Sequence, residues 1–94
     1  MLSVVVPAYN EAGAVSQAAQ SIGGVLQSGN IPYEVIFVDD GSTDDTWTEI
    51  CQTAECDPAV RGVCFSRNFG KEAAIFAGME TAAGDCCVVM DCDL

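Results

Sequence analysis

The sequence predicts an α/β fold built on a Rossmann-like parallel sheet, with its elements in the order β-α-β-α-β-α-β. Two observations predict it. Short apolar runs alternate with longer segments whose apolar residues recur at helical spacing, and clusters of Gly, Pro, Asn and Asp separate them. Such alternation is typical of parallel sheets with right-handed crossovers and helices on their faces. At 94 residues the chain has room for one small domain at most.

The first strand and helix occupy the N-terminal third. Residues 2–7 form an apolar run of the kind that fits a strand buried on both faces. Asn10 is a candidate cap for the following helix, which is expected to end at residues 28–30 because Pro32 prevents continuation. The apolar positions of this helix are Val15, Ala18, Ala19, Ile22 and Leu26.

A second strand and helix follow. Residues 34–38 are again a buried-strand run. Ser42 or Thr43 is expected to cap the next helix, with Asp44 and Asp45 in its first turn, where acids suit the helix dipole. The apolar stripe of this helix is Trp47, Ile50, Cys51 and Ala54.

The last third of the sequence predicts two strands, one before and one after a single helix. Residues 60–65 are predicted as the third strand and residues 66–70 as a loop. A third helix is predicted from about residue 71 to residue 83, and residues 84–85 turn the chain into a fourth strand at 86–90. The apolar positions of the third helix are Ile75, Phe76, Met79, Ala82 and Ala83.

The charge balance excludes several classes of partner. Fourteen acidic residues against Arg61, Arg67 and Lys71 give a net charge of −11. This argues against binding of nucleic acid or of an anionic membrane through charge. A protein this acidic needs a cation to hold an anionic substrate.

The six cysteines are expected to be reduced. Cys64, Cys86 and Cys87 lie inside apolar runs, where a free thiol behaves as a small hydrophobic side chain. The sequence contains no zinc-ligand spacing, no signal peptide and no apolar run long enough to span a membrane. We therefore expect a cytoplasmic location.

Polar loops follow all four predicted strands. The carboxyl ends of parallel strands share one edge, which is where open α/β sheets bind ligands. The segments that meet there are residues 7–11, 39–43, 66–71 and 91–93. Each alone has an ordinary explanation as a helix start, a helix cap or a solvated loop. Together they favour a site for a nucleotide, a phosphate and a metal ion.

Two of these segments carry the most specific chemistry. Asp91 and Asp93, at i and i+2 of an extended segment, would face one side and hold a hard cation such as Mg²⁺ or Mn²⁺. Arg67, Gly70 and Lys71, at the start of a helix, form a candidate phosphate cradle.

The adjacent acids Asp39 and Asp40 also need an explanation. Neighbouring carboxylates repel each other unless a cation or hydrogen-bond donors compensate. Helix capping explains Ser42 and Asp44 better than it explains this pair. An acid at this strand end suits a ribose hydroxyl or a nucleobase N–H.

With these motifs in order, the sequence resembles the family 2 glycosyltransferases of GT-A fold. The matching stretches are SVVVPAYNE at 3–11, VDDGSTD at 38–44, SRNFGK at 66–71, GD at 84–85 and MDCD at 90–93. Within the family it is most similar to polyprenyl-phosphate glycosyltransferases, of the dolichyl-phosphate mannose synthase-like and bactoprenol glucosyltransferase-like kinds. The resemblance implies the nucleotide-binding half of a GT-A fold.

The resemblance also implies roles for individual residues. Those that would contact the nucleoside of a UDP- or GDP-sugar are Pro7, Tyr9, Glu11, Val38 and Asp40. Asp39 and Lys71 are further candidates for nucleotide-sugar binding. Asp91 and Asp93 would hold the divalent metal on the diphosphate, and the backbone of Cys92 would line the site.

The implied reaction is an inverting transfer of a sugar, with a polyprenyl phosphate as the expected acceptor. No residue of this sequence is a good candidate for a catalytic base. Because family catalytic domains run well beyond the DxD pair, we expect residues 1–94 to be the N-terminal, donor-binding part of a longer enzyme, inactive alone. Many members carry membrane helices, which would place the parent protein at the cytoplasmic face of a membrane.

Two other interpretations stay open. A receiver-like signalling module also combines an acidic pair with a lysine at strand ends, although there the acids follow the first and third strands rather than the second and fourth. Alternatively, the chain is an inactive truncated remnant, whose exposed sheet edge would favour aggregation.

Overall fold

The computed structural model describes residues 1–93 and confirms the predicted parallel α/β fold. Within this range four strands alternate with three helices. The strands are β1 (Leu2–Ala8), β2 (Tyr33–Asp39), β3 (Val60–Cys64) and β4 (Cys86–Val89), and the helices are α1 (Val15–Ser28), α2 (Thr46–Cys56) and α3 (Lys71–Thr81). The sheet order is β3-β2-β1-β4, and every neighbouring pair is parallel.

The sheet order creates a crevice between β1 and β4. From β1 the chain moves outward to β2 and β3, then returns to the other side of β1 as β4. The register keeps the strand ends level, because Ala8 pairs with Asp39 and Val5 pairs with Val89. A reversal of this kind is the topological switch point at which open α/β sheets bind ligands.

Two apolar cores fix the helices on opposite faces of the sheet. Alternate residues of a strand point to opposite faces, so Val4 and Val6 of β1 pack with α1, whereas Val5 faces α3. The first core also includes Val15, Ala18, Ala19 and Ile22 of α1 with Ile50 of α2. The second core is smaller and consists of Ile36, Val38 and Ala74.

The face of α3 that packs on the sheet differs from the predicted one. Phe76 and Met79 are 65% and 51% exposed, whereas Ala74 and Gly78 are buried. A methyl group at Gly78 would collide with the side chain of Val5, so the helix lies too close to the sheet for a larger residue there. The apolar pattern was a poor guide because α3 is apolar on more than one side.

Cys64, Cys86 and Cys87 lie in strands, within the apolar runs of the sequence, but their side chains are exposed. Both β3 and β4 are edge strands, and all four residues of β4 are exposed. Cys51 is likewise exposed, although it was assigned to the apolar stripe of α2. All six cysteines are free thiols, as predicted, and Cys92 is the buried one.

A polar clasp ties the other end of the sheet to the turn before β4. The buried carboxylate of Glu34 accepts hydrogen bonds from the Ser3 hydroxyl at 2.6 Å, the Ala83 amide at 2.7 Å and Arg61 at 2.9 Å. Burial acts to raise the pKa of Glu34, but these donors outweigh it and hold the pKa below its ordinary value. The Gly84 amide in turn donates to the Ser3 hydroxyl. The clasp therefore fixes the turn that leads into β4.

The helices are short. Among the residues that the structure describes, none of them is both long and apolar enough to cross a membrane.

Candidate functional site

A cleft of about 160 Å³ opens at the crevice between β1 and β4. The loop after β1 forms one wall, and the segment after β4 forms the other. The residues that line it are Pro7, Ala8, Tyr9, Glu11, Asp40, Lys71, Asp91, Cys92 and Asp93. The sequence patterns had singled out all of these except Ala8.

Two predicted site residues do not line the cleft. Val38 is fully buried in the second core against α3. Asp39 is 2% exposed, and its Oδ1 accepts a hydrogen bond from the Ser42 amide at 3.0 Å. The side chain of Asp39 therefore shapes the loop after β2 from behind the cleft.

Asp40 does line the cleft, and it also organises the loop before α3. Its carboxylate accepts hydrogen bonds from the Phe69 amide at 2.8 Å and from the Gly70 amide at 3.2 Å. Gly70 is the N-cap of α3 and has a φ of 105°, which favours glycine. Asp40 therefore engages two backbone amides of the loop that contains the candidate phosphate cradle, Arg67, Gly70 and Lys71.

The loop after β1 is held by the loop after β2 and does not begin a helix at Asn10. Asn10 has a φ of 52°, and its side-chain oxygen accepts a hydrogen bond from the Thr43 amide at 2.9 Å. The Ser42 hydroxyl accepts one from the Asn10 amide at 2.9 Å. The predicted cap at Asn10 is wrong, because this side chain joins two loops instead.

Helix α1 begins at Val15, and a residue of another helix satisfies its free amides. The carboxylate of Glu49 on α2 accepts hydrogen bonds from the Gly13 amide at 2.5 Å and the Ser16 amide at 2.8 Å. The Thr46 hydroxyl accepts one from the Glu11 amide at 2.9 Å. Sequence reasoning missed both residues, because these bonds join positions more than 30 residues apart.

The predicted start of α2 is also wrong. The helix begins at Thr46, and Asp44 accepts hydrogen bonds from both the amide and the hydroxyl of Thr46. The hydrogen bond from the Thr46 hydroxyl contributes most to holding the pKa of Asp44 below its ordinary value. Ser42 and Thr43 bond to Asn10 and are therefore not caps.

The two aspartates after β4 face the same cleft, although not for the predicted reason. β4 ends at Val89, and residues 92–93 form a turn rather than an extended segment. The Cys92 side chain between them packs into the first core, and burial raises the pKa of its thiol to about 12. The Cys92 thiol therefore faces the core. The groups at this turn that can bind a metal ion in the cleft are the carboxylate oxygens of Asp91 and Asp93.

Lys71 reaches the same wall from the start of α3. Its ammonium nitrogen lies 3.0 Å from a carboxylate oxygen of Asp91. The positive charge of Lys71 therefore lies at the wall of the cleft, where an anion or a metal–anion pair would bind. Within residues 1–93, no three His, Cys, Asp or Glu side chains lie close enough to enclose a metal by themselves.

The donor set fits a hard cation that completes its shell with other ligands. Mg²⁺ is usually bound by one or two carboxylates together with substrate phosphates and water. Asp91 and Asp93 provide two carboxylates on the wall of one cleft. The residues present therefore fit Mg²⁺ or Mn²⁺ shared with a phosphate ligand.

Comparison with known proteins gives a consistent picture. The sequence model of the family described as glycosyl transferase family 2 matches residues 3–94. The chain is 42% identical to the putative glycosyltransferase CsbB of Bacillus subtilis, covering 100% of this chain and 29% of that protein. It is 39% identical to a prophage bactoprenol glucosyl transferase homolog of Escherichia coli, covering 99% of this chain and 30% of that protein.

A solved structure extends the comparison to the fold. The mannosyltransferase PcManGT of Pyrobaculum calidifontis, in complex with GDP-Man and Mn²⁺, superposes with a TM-score of 0.83 at 30% identity. The match covers 98% of this chain and 27% of that one. The chain thus spans less than a third of the length of these relatives.

Proposed function

The chain belongs to glycosyl transferase family 2, and from that membership we propose that it is the donor-binding half of a sugar transferase. The donor would be a UDP- or GDP-sugar and the acceptor a polyprenyl phosphate. One observation carries the proposal: eight of the ten predicted site residues line a single cleft at the switch point of the sheet. Family membership leaves the receiver-like interpretation without support.

The wall formed by the loop after β1 is suited to the nucleoside. Tyr9 is 46% exposed and offers an aromatic face, and Glu11 offers a carboxylate to N–H or hydroxyl groups. Pro7 and Asp40 complete this part of the cleft. The hydrogen bonds that Asn10 makes with the loop after β2 keep this wall in place before a ligand arrives.

The opposite wall is suited to the diphosphate. Asp91 and Asp93 would hold Mg²⁺ or Mn²⁺, which would offset the negative charge that develops on the leaving diphosphate. Lys71 would place a further positive charge beside the same phosphates. The solved structure of PcManGT in complex with GDP-Man and Mn²⁺ supports this assignment.

The proposed reaction is a displacement with inversion. A phosphate oxygen of the acceptor forms a bond to the anomeric carbon of the sugar, while the bond from that carbon to the diphosphate breaks. The nucleoside diphosphate leaves with the electron pair. A polyprenyl phosphate is already anionic at neutral pH, so the acceptor oxygen needs no general base. Acceptor binding would also require chain beyond these residues, at the cytoplasmic face of a membrane in the parent protein.

Calorimetry on the folded chain tests the donor-binding proposal. UDP, GDP and ADP are titrated separately with and without Mn²⁺. We expect UDP or GDP to bind, and Mn²⁺ to strengthen that binding by at least about tenfold, which corresponds to roughly 1.4 kcal/mol. Asp93→Asn should remove the effect of Mn²⁺, whereas Glu80→Gln, an exposed acid on α3, should not. Absence of metal-dependent binding to any nucleotide in a folded sample would overturn the proposal and favour an inactive remnant.

A further inference from the structure

The segment that carries Asp91 and Asp93 is attached to the rest of the chain at few points. All four residues of β4 are exposed, and the strand pairing with β1 ends at Val89. After the strand, the Met90 amide donates a hydrogen bond to the Val5 carbonyl at 3.0 Å. Asp91 and Asp93 then both lie exposed on the wall of the cleft. Strand pairing therefore does not by itself fix the direction of these two side chains.

Cys92 lies between the two aspartates and is the exception to this exposure. Its side chain is 4% exposed, which makes Cys92 the one buried residue in the described stretch from residue 85 to residue 93. It belongs to the first core, together with Ala8 of β1 and Val15 of α1. Because Cys92 is held in the core, the side chains before and after it are directed to the cleft.

A second contact holds this turn more weakly. The ion pair between Lys71 and Asp91 joins two exposed side chains, so water screens their attraction. The free energy gained by burying an apolar side chain in a close-packed core is not reduced in this way. A thiol behaves as a small hydrophobic group of this kind. Of these two contacts, the burial of Cys92 therefore contributes more to the position of the turn.

We propose that Cys92 is a positioning residue for the metal ligands: its buried side chain anchors the turn so that Asp91 and Asp93 both face the cleft. The inference rests on the proposed function, because it concerns the metal that would hold the donor diphosphate. The anchoring comes from the apolar character and small volume of the side chain, and the sulfur takes no part in binding the metal. The supporting geometry is one side chain buried between two exposed carboxylates that line a single cleft.

Substitutions of Cys92 test this inference through the affinity for Mn²⁺, which the relaxation rate of water protons measures. The titrations are made on the folded chain with whichever nucleotide, UDP or GDP, binds to it. Cys92→Ala keeps a small apolar side chain, so we expect Mn²⁺ binding within about threefold of the parent chain. Cys92→Asn places an amide without a hydrogen-bond partner in the core, which favours release of the turn into water. Mn²⁺ should then bind at least about tenfold more weakly.

Cys92→Ser separates anchoring from direct binding of the metal by sulfur. Serine nearly matches cysteine in volume and offers an oxygen, which Mn²⁺ accepts as a ligand, but its hydroxyl is costly to bury. An anchor predicts that Cys92→Ser binds Mn²⁺ about three- to tenfold more weakly than Cys92→Ala. A sulfur ligand predicts the reverse order. This comparison also keeps the inference testable if Cys92→Asn fails to fold.

Ile22→Val is the matched control for a general loss of stability. It removes one methylene group from the same core at a position on α1, and it should lower the midpoint of thermal unfolding without changing the affinity for Mn²⁺. Amide signals in ¹⁵N nuclear magnetic resonance spectra supply a readout that does not need the metal. In Cys92→Asn the signals of Asp91 and Asp93 should move toward positions typical of unfolded chain, whereas those of β1 should stay in place.

The outcomes separate this inference from the proposed function. If Cys92→Asn binds Mn²⁺ as tightly as the parent chain, or if Ile22→Val weakens binding equally, the inference is overturned and the donor-binding proposal stands. Tighter binding by Cys92→Ser than by Cys92→Ala would also overturn it. If the folded parent chain binds neither UDP nor GDP with Mn²⁺, the proposed function and this inference are both wrong.

Discussion

The ammonium nitrogen of Lys71 lies 3.0 Å from a carboxylate oxygen of Asp91, linking the start of α3 to the segment after β4. The two side chains are 63% and 66% exposed, so water screens the pair and it contributes little to stability. The contact therefore holds Asp91 loosely. A metal-bound diphosphate could replace this ion pair at a small cost in free energy, and Lys71 would stay close to the phosphates.

Replacing Lys71 should affect metal and nucleotide in opposite directions. Lys71→Met removes a positive charge beside Asp91, so Mn²⁺ alone should bind about two- to fivefold more tightly. UDP or GDP with Mn²⁺ should bind about tenfold more weakly, because the diphosphate loses a charged donor. Calorimetry measures both constants. If both change in the same direction, Lys71 does not contact the diphosphate.

Asp40 should contribute measurably to the stability of the loop before α3. Asp40→Asn replaces a buried carboxylate that accepts hydrogen bonds from two amides. We expect the free energy of unfolding to fall by about 1–3 kcal/mol, as measured by urea denaturation. Asp45→Asn is the matched control, because Asp45 is exposed and makes no side-chain cap at α2. Equal effects of the two substitutions would refute the role given to Asp40.

Glu49 makes stability depend on pH. Burial acts to raise its pKa, but the amides of Gly13 and Ser16 outweigh burial and hold the pKa below the ordinary value of 4.5. Its contribution to stability is therefore complete above about pH 4.5 and is lost as the pH falls through the lower pKa of the folded chain. Glu49→Gln should lower the free energy of unfolding at pH 7 and flatten its decline in acid.

Urea denaturation at a series of pH values measures this effect. Glu55→Gln serves as the control, since it removes an exposed acid from the same helix. It should leave the acid limb of the curve unchanged. An acid limb that is as steep in Glu49→Gln as in the parent chain would show that Glu49 does not cap α1.

Two glycines in helices should respond to alanine with opposite signs. At Gly78 the new methyl group would collide with Val5, so Gly78→Ala should destabilise the chain by about 1–3 kcal/mol. Around Gly24 of α1 there is open space, so Gly24→Ala should stabilise it by about 0.5–1 kcal/mol. Thermal unfolding of the two variants provides the comparison. Stabilisation by both would mean that α3 can move away from the sheet.

The sequence predicted well where the strands lie and that the loops after them come together at one edge of the sheet. A parallel sheet brings all strand ends to one edge, so the positions of the apolar runs were enough to collect Tyr9, Asp40 and Asp91 in one place. Several of the predictions that failed concern contacts between distant segments. Asn10 bonds to Thr43, and Glu49 caps α1 from another helix. No local pattern encodes such partners.

The sequence by itself determined the fold class, the family and the edge of the sheet that carries the site, because these depend on apolar periodicity and on the order of short motifs. The tertiary structure alone decided which polar atoms are already engaged. It assigned the Phe69 and Gly70 amides to Asp40, buried the Cys92 side chain and left Arg67 without an ion pair among residues 1–93. The physical reason is that a hydrogen-bonding group is satisfied by whatever packs against it, and packing partners are fixed only when the whole sheet is assembled.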